Sequence, residues 1–341
     1  MSRNMTTDEL DLGPLRDIVL TMPVTDIAVT CDGRVWIDCG EGMSEWNPRI
    51  PLDDPRVVRA YAVNLCSQLG RRLDEACPIA DASTTGGIRV HAVIAPVVPF
   101  GASISIRFPS LQAPRLEYLG ALGMFPGVWG RMLASLVKRR ATILITGGTG
   151  VGKTTLLRSL LDECPGEERI VSVEEIRELG EIRSCNHVSL VTREPNVEGE
   201  GAIGLPELVK ATLRMRPDRV VLGECRGEEI ADLLRALNSG HHGGMVTVHA
   251  DSVQRLPARL IALGMLAGMS PKALAMLVEG AFDVVLHIVR HAGRRHIAQI
   301  GHLEVNDAGV LHGGMLATWD GEGKIVQGRG WNSFEKRWSE A

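Results

Sequence analysis

The nine residues GGTGVGKTT, Gly147 to Thr155, restrict what this chain can fold into more than any other stretch. They match G-x-x-x-x-G-K-[ST], with Gly147, Gly152, Lys153 and Thr154 in the fixed positions. A β-like run, ATILIT (141–146), stops immediately before the motif, and an apolar, helix-like run, TLLRSLL (155–161), begins at its end. Strand, glycine loop and helix start, in that order, make a cradle for phosphates. The glycines let backbone N–H groups wrap the anion, and the helix N-terminus adds positive potential. Lys153 is expected to reach the β- and γ-phosphates, with the Thr154 hydroxyl on Mg²⁺. Gly148, Thr149, Gly150, Val151 and Thr155 complete the expected nucleotide-binding segment.

The sequence around the motif repeats one style. ATILIT, RIVSVEE (169–175), RVVLGE (219–224) and MVTVHA (245–250) are nearly continuous runs of apolar residues, as parallel strands buried on both faces require. Helical stretches fit between them. The clearest is GEEIADLLRALNSG (227–240), with acids in its first turn, Ile230, Leu233, Leu234 and Leu237 on one face, and Asn238-Ser239-Gly240 as a stop. DVVLHIVR (283–290) and RHIAQIGHLEV (295–305) read as a hairpin through Ala292-Gly293. The fold class that follows is α/β, doubly wound.

In an open parallel sheet, ligands gather outside the carboxyl ends of the strands, so the other strand ends should carry groups that phosphoryl transfer uses. They do: Glu174 and Glu175, Glu224, and His249 close these runs. Glu224 is the natural acid beside Mg²⁺, holding its water shell. Glu174 or Glu175 is the better base for the attacking water. His249, at a strand tip, is placed to donate to the γ-phosphate or to transmit its loss, and His241 to sense the same phosphate from the preceding loop. Gly243-Gly244 prevents a helix that would pair these histidines around zinc, and the adjacent His242 reads as a solvated neighbour. Arg89, Arg107, Arg193, Arg214 and Arg216 are the available guanidinium groups, and spacing does not choose among them.

The chain before the motif is built differently. Between Leu15 and Phe108 short alternating runs dominate: DIAVTCDGRVWIDCG (26–40), IRVHAVIAPV (88–97) and ASISIRF (102–108), with Asp32-Gly33 as a hairpin signal and a helical stretch over 55–73. The predicted organisation is a flexible N-terminus (1–14), a smaller α+β domain (15–110), a linker punctuated by proline and glycine (111–127), and the α/β domain (128–341).

Composition acts as a filter. The net charge of −4 speaks against a polyanion binder, so no direct nucleic-acid contact is expected. Seven cysteines without a C-x-x-C pair speak against a disulfide framework or zinc ribbon. The longest apolar runs, such as LIALGMLAGM (260–269), fall short of the roughly 20 residues of a membrane span, and residues 1–13 lack the apolar segment of a signal peptide. A reduced, cytoplasmic protein is expected.

Taken together, GGTGVGKTT, IVSVEEIREL (170–179), VTREPNVEGEG (191–201), LRMRPDRVVLGECRGEE (213–229) and SGHHGGMVTVHADS (239–252) resemble the secretion ATPase superfamily, and most of all its Tad pilus branch, akin to type IV secretion traffic ATPases. The resemblance implies a RecA-like P-loop domain with a smaller N-terminal domain folding over ATP. It implies a homo-hexamer on the cytoplasmic face of the membrane, bound peripherally through an inner-membrane platform protein. It labels Glu174-Glu175 as the acidic box, Glu224 as an atypical Walker B acid, and His241 with His249 as the histidine box. It also places Arg89 and Arg107 where the family's N-terminal domain offers arginines to the phosphates. Glu175 stands where the family usually has Asp. Two other classes compete: a RecA-like nucleic-acid motor, which the scarcity of aromatics and basic clusters disfavours, and an ATP-gated scaffold with negligible turnover, which the complete acid set disfavours.

Overall fold

Alternation of buried and exposed residues builds the first of two units. The computed structural model describes residues 10–40, 42–109, 114–180, 182, 186–193, 195, 200–291 and 293–339. After a 3₁₀ turn at Gly13–Leu15 come α1 (Arg16–Thr21), β1 (Asp26–Val29), β2 (Val35–Asp38), β3 (Met43–Trp46), α2 (Pro55–Gln68), β4 (Ile79–Ser83), β5 (Arg89–Ile94) and β6 (Ala102–Arg107). The strands form one antiparallel sheet in the order β3-β2-β1-β6-β5-β4. Inward residues such as Ile27, Val29, Val90, Ala92, Ile104 and Ile106 pack with Val58, Ala62 and Leu65 of α2. Helix α2 starts where expected, because the Asp54 carboxylate accepts from the Arg56 amide at 2.8 Å and Pro55 occupies the first turn. It ends at Gln68, short of the expected 73, where the amides of Gly70 and Arg71 turn back to the carbonyls of Ser67 and Cys66.

Two expectations change here. Residues 10–14 are packed, not loose: Leu10 and Leu12 are buried, and Tyr61 donates to the Leu12 carbonyl at 2.8 Å. Residues 1–9 lie outside the described residues. The predicted linker also carries structure, α3 (Leu116–Ala121), because Leu116, Leu119, Met124 and Phe125 find apolar partners and are buried. Residues 110–113 are not described.

The second unit continues with α4 (Gly127–Lys138), β7 (Ile143–Gly147), α5 (Lys153–Leu161), β8 (Arg169–Glu174), β9 (Asn186–Val191), α6 (Leu205–Thr212), β10 (Arg219–Cys225), α7 (Glu229–Asn238) and β11 (Met245–Val248). Then follow α8 (Leu256–Leu266), α9 (Pro271–Val278), β12 (Val284–His291), β13 (Arg294–Val305), β14 (Leu311–Thr318), β15 (Val326–Gln327) and α10 (Trp331–Trp338). Strands β12-β7-β11-β10-β8-β9 are parallel. β13, β14 and β15 extend the sheet antiparallel beyond β12. Every residue of β7 and β11 is buried, which is why their sequences run apolar without alternating. Burial of one such leucine, Leu144 at 0% exposure, stabilises the unit by about 2 kcal/mol.

Two anchors hold the starts of these strands. Arg219, fully buried, pairs with Glu168 (Nε to Oε2 2.5 Å) and donates to the carbonyls of Gly243 (3.2 Å) and Val137 (2.8 Å). At the chain's end, α10 buries Trp331, Phe334 and Trp338. The Trp331 and Trp319 rings each lie 6.3 Å from the ring of Trp129 on α4. Arg337 of α10 reaches Asp283 at 3.1 Å, and the other oxygen of Asp283 accepts from the Thr142 amide at 2.9 Å, one residue before β7.

One buried group makes acid stability predictable. His287 on β12 is 3% exposed, and burial pushes its imidazole down to about 4, against a smaller opposing pull from Asp251. The folded state therefore refuses a proton that the unfolded chain takes up near pH 6.5. Stability is complete above that pH, falls as pH drops toward 4, and levels off below it, a loss on the order of 3 kcal/mol. Denaturant unfolding of the wild type and of His287→Leu between pH 7 and pH 4 checks this: the variant should lose most of that slope, and an equal slope in both would refute it.

Candidate active site

The Gly147–Gly152 loop sits where β7 ends and α5 begins. Gly147 cannot be replaced at this point, because an added Cβ would lie 2.4 Å from the Ile288 carbonyl oxygen on the neighbouring β12. Gly152 turns the chain into α5 with φ +98°, a conformation that side chains other than glycine's rarely adopt. Between them Gly148, Thr149 and Gly150 are exposed and Val151 is buried, so the loop is open outward and rooted inward. Lys153 begins the helix. Its ammonium is buried, donating to the carbonyls of Gly148 (2.8 Å) and Gly147 (3.2 Å), and lies 3.3 Å from His249 Nδ1. Thr154 and Thr155, half-buried, continue the first turn.

Parallel register brings the other strand ends alongside. Thr146 pairs with Val248, and Val173 with Leu222, so β7, β11, β10 and β8 finish at one edge. Between β10 and β11 the register slips from Leu222 opposite Val246 to Cys225 opposite Val248, which bulges the chain at Gly223-Glu224. The Thr247 hydroxyl donates to the Gly223 carbonyl at 2.6 Å and pins the bulge. Bulges re-aim side chains beside functional sites, and this one carries Glu224. Gly223 has a second role: an added Cβ would stand 2.9 Å from Cγ of Glu174, whose side chain is 3% exposed against it.

The side chains that meet there form one chain of contacts. Glu224 Oε1 contacts His249 Nε2, and His249 reaches Lys153. Glu224 Oε2 pairs with Arg226 at 2.5 Å, and Arg226 also pairs with Glu175 at 2.8 Å. The environment holds His249 below its ordinary value, first through burial and then through the Lys153 ammonium, with Glu224 pulling the other way. Neutral imidazole is thus favoured at pH 7. The donors near the loop, the Thr154 hydroxyl and the Glu224 carboxylate, are hard oxygens of the kind Mg²⁺ takes.

Not every expected residue joins this cluster. His241 lies in the turn before β11, at the opposite edge of the sheet, its Nδ1 on the Ala236 carbonyl at 3.2 Å. Four steps of strand, about 13 Å, separate that edge from the loop, so His241 stands apart from this cluster. Arg214 and Arg216 precede β10 at that same far edge, and the Arg193 backbone is bridged to Ile203. In the first unit, Asp26, Arg107 and Arg89 are consecutive partners across β1, β6 and β5. Arg107 donates to Asp26 at 2.8 Å and Arg89 pairs with Glu178, so both guanidinium groups are held by carboxylates of their own unit. Segment Ile176–Gly180, read from sequence as part of the α/β domain, groups with this first unit. Arg226 escaped the sequence reading. Its signal was slight: a guanidinium two residues past Glu224, hence on the same side of an extended chain.

Comparison with known proteins supplies the family. Residues 8–312 match the model of the Type II/IV secretion system protein family. A Mycobacterium tuberculosis (strain H37Rv) protein provisionally described as a conjugal transfer protein is 41% identical over 308 residues, 88% of this chain and 87% of that one. The type IV secretion system protein PtlH of Bordetella pertussis is 33% identical over 309 residues, covering 81% and 89%. Among solved structures, the pilus retraction motor PilT with bound ADP superposes with TM-score 0.59 at 16% identity, over 95% of this chain and 85% of that one. The Legionella pneumophila ATPase DotB gives 0.58 at 17%, over 86% and 80%. These likenesses show the fold, a RecA-like P-loop arrangement in a mixed α/β chain. On the family match and these relatives, the chain belongs to the type II/IV secretion system protein family.

Proposed function

We propose that this chain is a hexameric ATPase that hydrolyses ATP with Mg²⁺ at the cytoplasmic base of a Tad-type pilus or type II/IV secretion machine, passing force to an inner-membrane platform protein. What supports the reading most is the convergence of Lys153, His249, Glu224 and Glu175 beside the Gly147–Gly152 loop. The loop amides cradle the phosphates, and Lys153 exchanges the Gly147 and Gly148 carbonyls for phosphate oxygens. Thr154 would hold Mg²⁺ and Glu224 its water shell, and the ion would supply charge neutralisation for the phosphates. Glu174 or Glu175 orients the attacking water. His249, neutral and already in contact with both Glu224 and Lys153, registers loss of the γ-phosphate. Arg89 and Arg107 exchange Glu178 and Asp26 for phosphate oxygens when they act.

No single helix among the described residues is long and apolar enough to cross a membrane, which suits attachment through a partner. A second reading, that the machine moves DNA, draws on the conjugal transfer description of the mycobacterial relative. The test is phosphate release by the purified chain with Mg²⁺-ATP, alongside its mass in solution, with and without added DNA. Turnover by a sixfold assembly, indifferent to DNA, is expected. Nucleotide binding without turnover would leave the scaffold reading, and turnover that rises with DNA in a salt-dependent manner the nucleic-acid one.

A further inference from the structure

Arg226 is exposed at the edge of the site, but its backbone is fixed there. Its backbone amide donates to Glu229 Oε1 at 2.6 Å, and the next amide, of Gly227, donates to the same oxygen at 2.8 Å. Glu229 opens α7 and is 3% exposed, so a buried carboxylate fixes the backbone from which Arg226 springs. From that fixed base the guanidinium spreads two arms. Nη1 meets Glu175 Oε2 at 2.8 Å, while Nε and Nη2 both meet Glu224 Oε2, at 2.8 and 2.5 Å. Only one Glu224 oxygen is used in this way, and the other is turned to His249.

An exposed Arg–carboxylate pair contributes little by itself. This one differs because a planar fork joins two acids from two strand ends, and such geometry is directional as well as attractive. Glu175 follows β8 and Glu224 belongs to the bulge of β10. Without a cation between them, two carboxylates at neighbouring strand ends repel and rotate apart. A lysine ammonium, a single point of charge, would compensate them without setting their mutual orientation.

We infer that Arg226 is a positioning residue for hydrolysis, clamping Glu175 and Glu224 at the spacing and orientation the reaction uses, and acting through them without touching the phosphates. The inference rests on the ATPase reading above. Misplacing a catalytic group by about 1 Å can cost on the order of a hundredfold in rate, and a group that acts only through others should leave substrate affinity alone.

The experiment begins with wild-type turnover of Mg²⁺-ATP by the full chain: if there is none, the ATPase reading fails and Arg226 is not the reason. With turnover in hand, Arg226→Ala and Arg226→Lys are compared with wild type by steady-state kinetics, by fluorescent-ATP affinity and by thermal melting. Both variants should lose about ten- to a hundredfold in kcat, with nucleotide affinity within about threefold and folding retained. Single-turnover rates then close a cycle with Glu175→Gln, where Arg226→Ala should cost clearly less than it does in the wild type because one of its two targets is already gone. Full activity in Arg226→Lys, a loss carried by nucleotide affinity, or losses that multiply with Glu175→Gln would each overturn the clamp. If Arg226→Ala does not fold, Arg226→Lys and its own cycle with Glu175→Gln decide the matter alone.

Discussion

Lys153→Ala should reduce ATP turnover by about a hundred- to a thousandfold, the range found when one preorganised charge-stabilising donor is removed from an active site. The reasoning starts from burial: an ammonium at 7% exposure, on the carbonyls of Gly147 and Gly148, has given up most of its water. It is therefore poised to meet phosphate oxygens with little further desolvation, and alanine supplies no cation. The fold should survive, since the methyl of alanine fits the first turn of α5 and no helix hydrogen bond is lost; melting should shift by a few degrees at most. A second readout avoids turnover altogether. Lys153 is one of the groups that hold His249 down, so its loss should move His249 up toward 6.5, seen as an NMR titration of that imidazole. Turnover within tenfold of wild type would remove the site assignment.

Glu224→Gln should have the next largest effect, on a different quantity. It keeps the shape of the side chain at the β10 bulge but loses the charge that faces Arg226 and His249. Turnover should fall by about a hundredfold or more, while ATP affinity stays within a few fold, because the loop and Lys153 proposed to hold the phosphates are untouched. Such a variant binds ATP and keeps it. Here His249 should move in the opposite direction from Lys153→Ala: Glu224 pulls it up, so glutamine lets it fall further. Opposite displacements of one imidazole by two substitutions form a demanding pair of results, since a general loosening of the site would move both the same way. A single-turnover rate for Glu224→Gln equal to wild type would mean that this acid takes no part.

How much of this was legible in the sequence depended on how local each feature is. β7, the loop and α5 are consecutive, so motif and flanking apolarity sufficed, and the parallel character of the sheet, though not its strand order, followed from runs buried on both faces. Glu224 and His249 were readable as strand ends, because parallel strands bring their ends to one edge. The bulge was not: it depends on Thr247 meeting the Gly223 carbonyl from the next strand. Arg226 looked like any polar residue after a strand, and its meaning appears only when Glu175, 51 positions earlier, comes within reach. The pairing of Arg107 with Asp26 spans 81 positions and that of Arg89 with Glu178 spans 89. His241 shows the opposite failure, since it stands only eight positions before His249 in sequence while β11 carries the two to opposite edges. Leu10, Leu12, Leu116 and Leu119 were misjudged for a similar reason: charge, proline and glycine nearby spoke for loose chain, and distant apolar partners overruled them.

The gathering of Trp129, Trp319 and Trp331 around α4, with Trp338 buried on the same α10, gives this molecule an optical handle. Those indoles stand level with the tip of β7: the Trp319 amide donates to the carbonyl of Ala298, next to Ile297, whose partner Ile288 lies opposite Gly147, and Trp129 packs on both Trp319 and Trp331. Intrinsic fluorescence therefore samples the end of the sheet that carries the Gly147–Gly152 loop. A spectral change on adding ATP would mean that the indole packing shifts as the loop fills, while a silent spectrum beside measurable turnover would mean that this packing stays still as the site works.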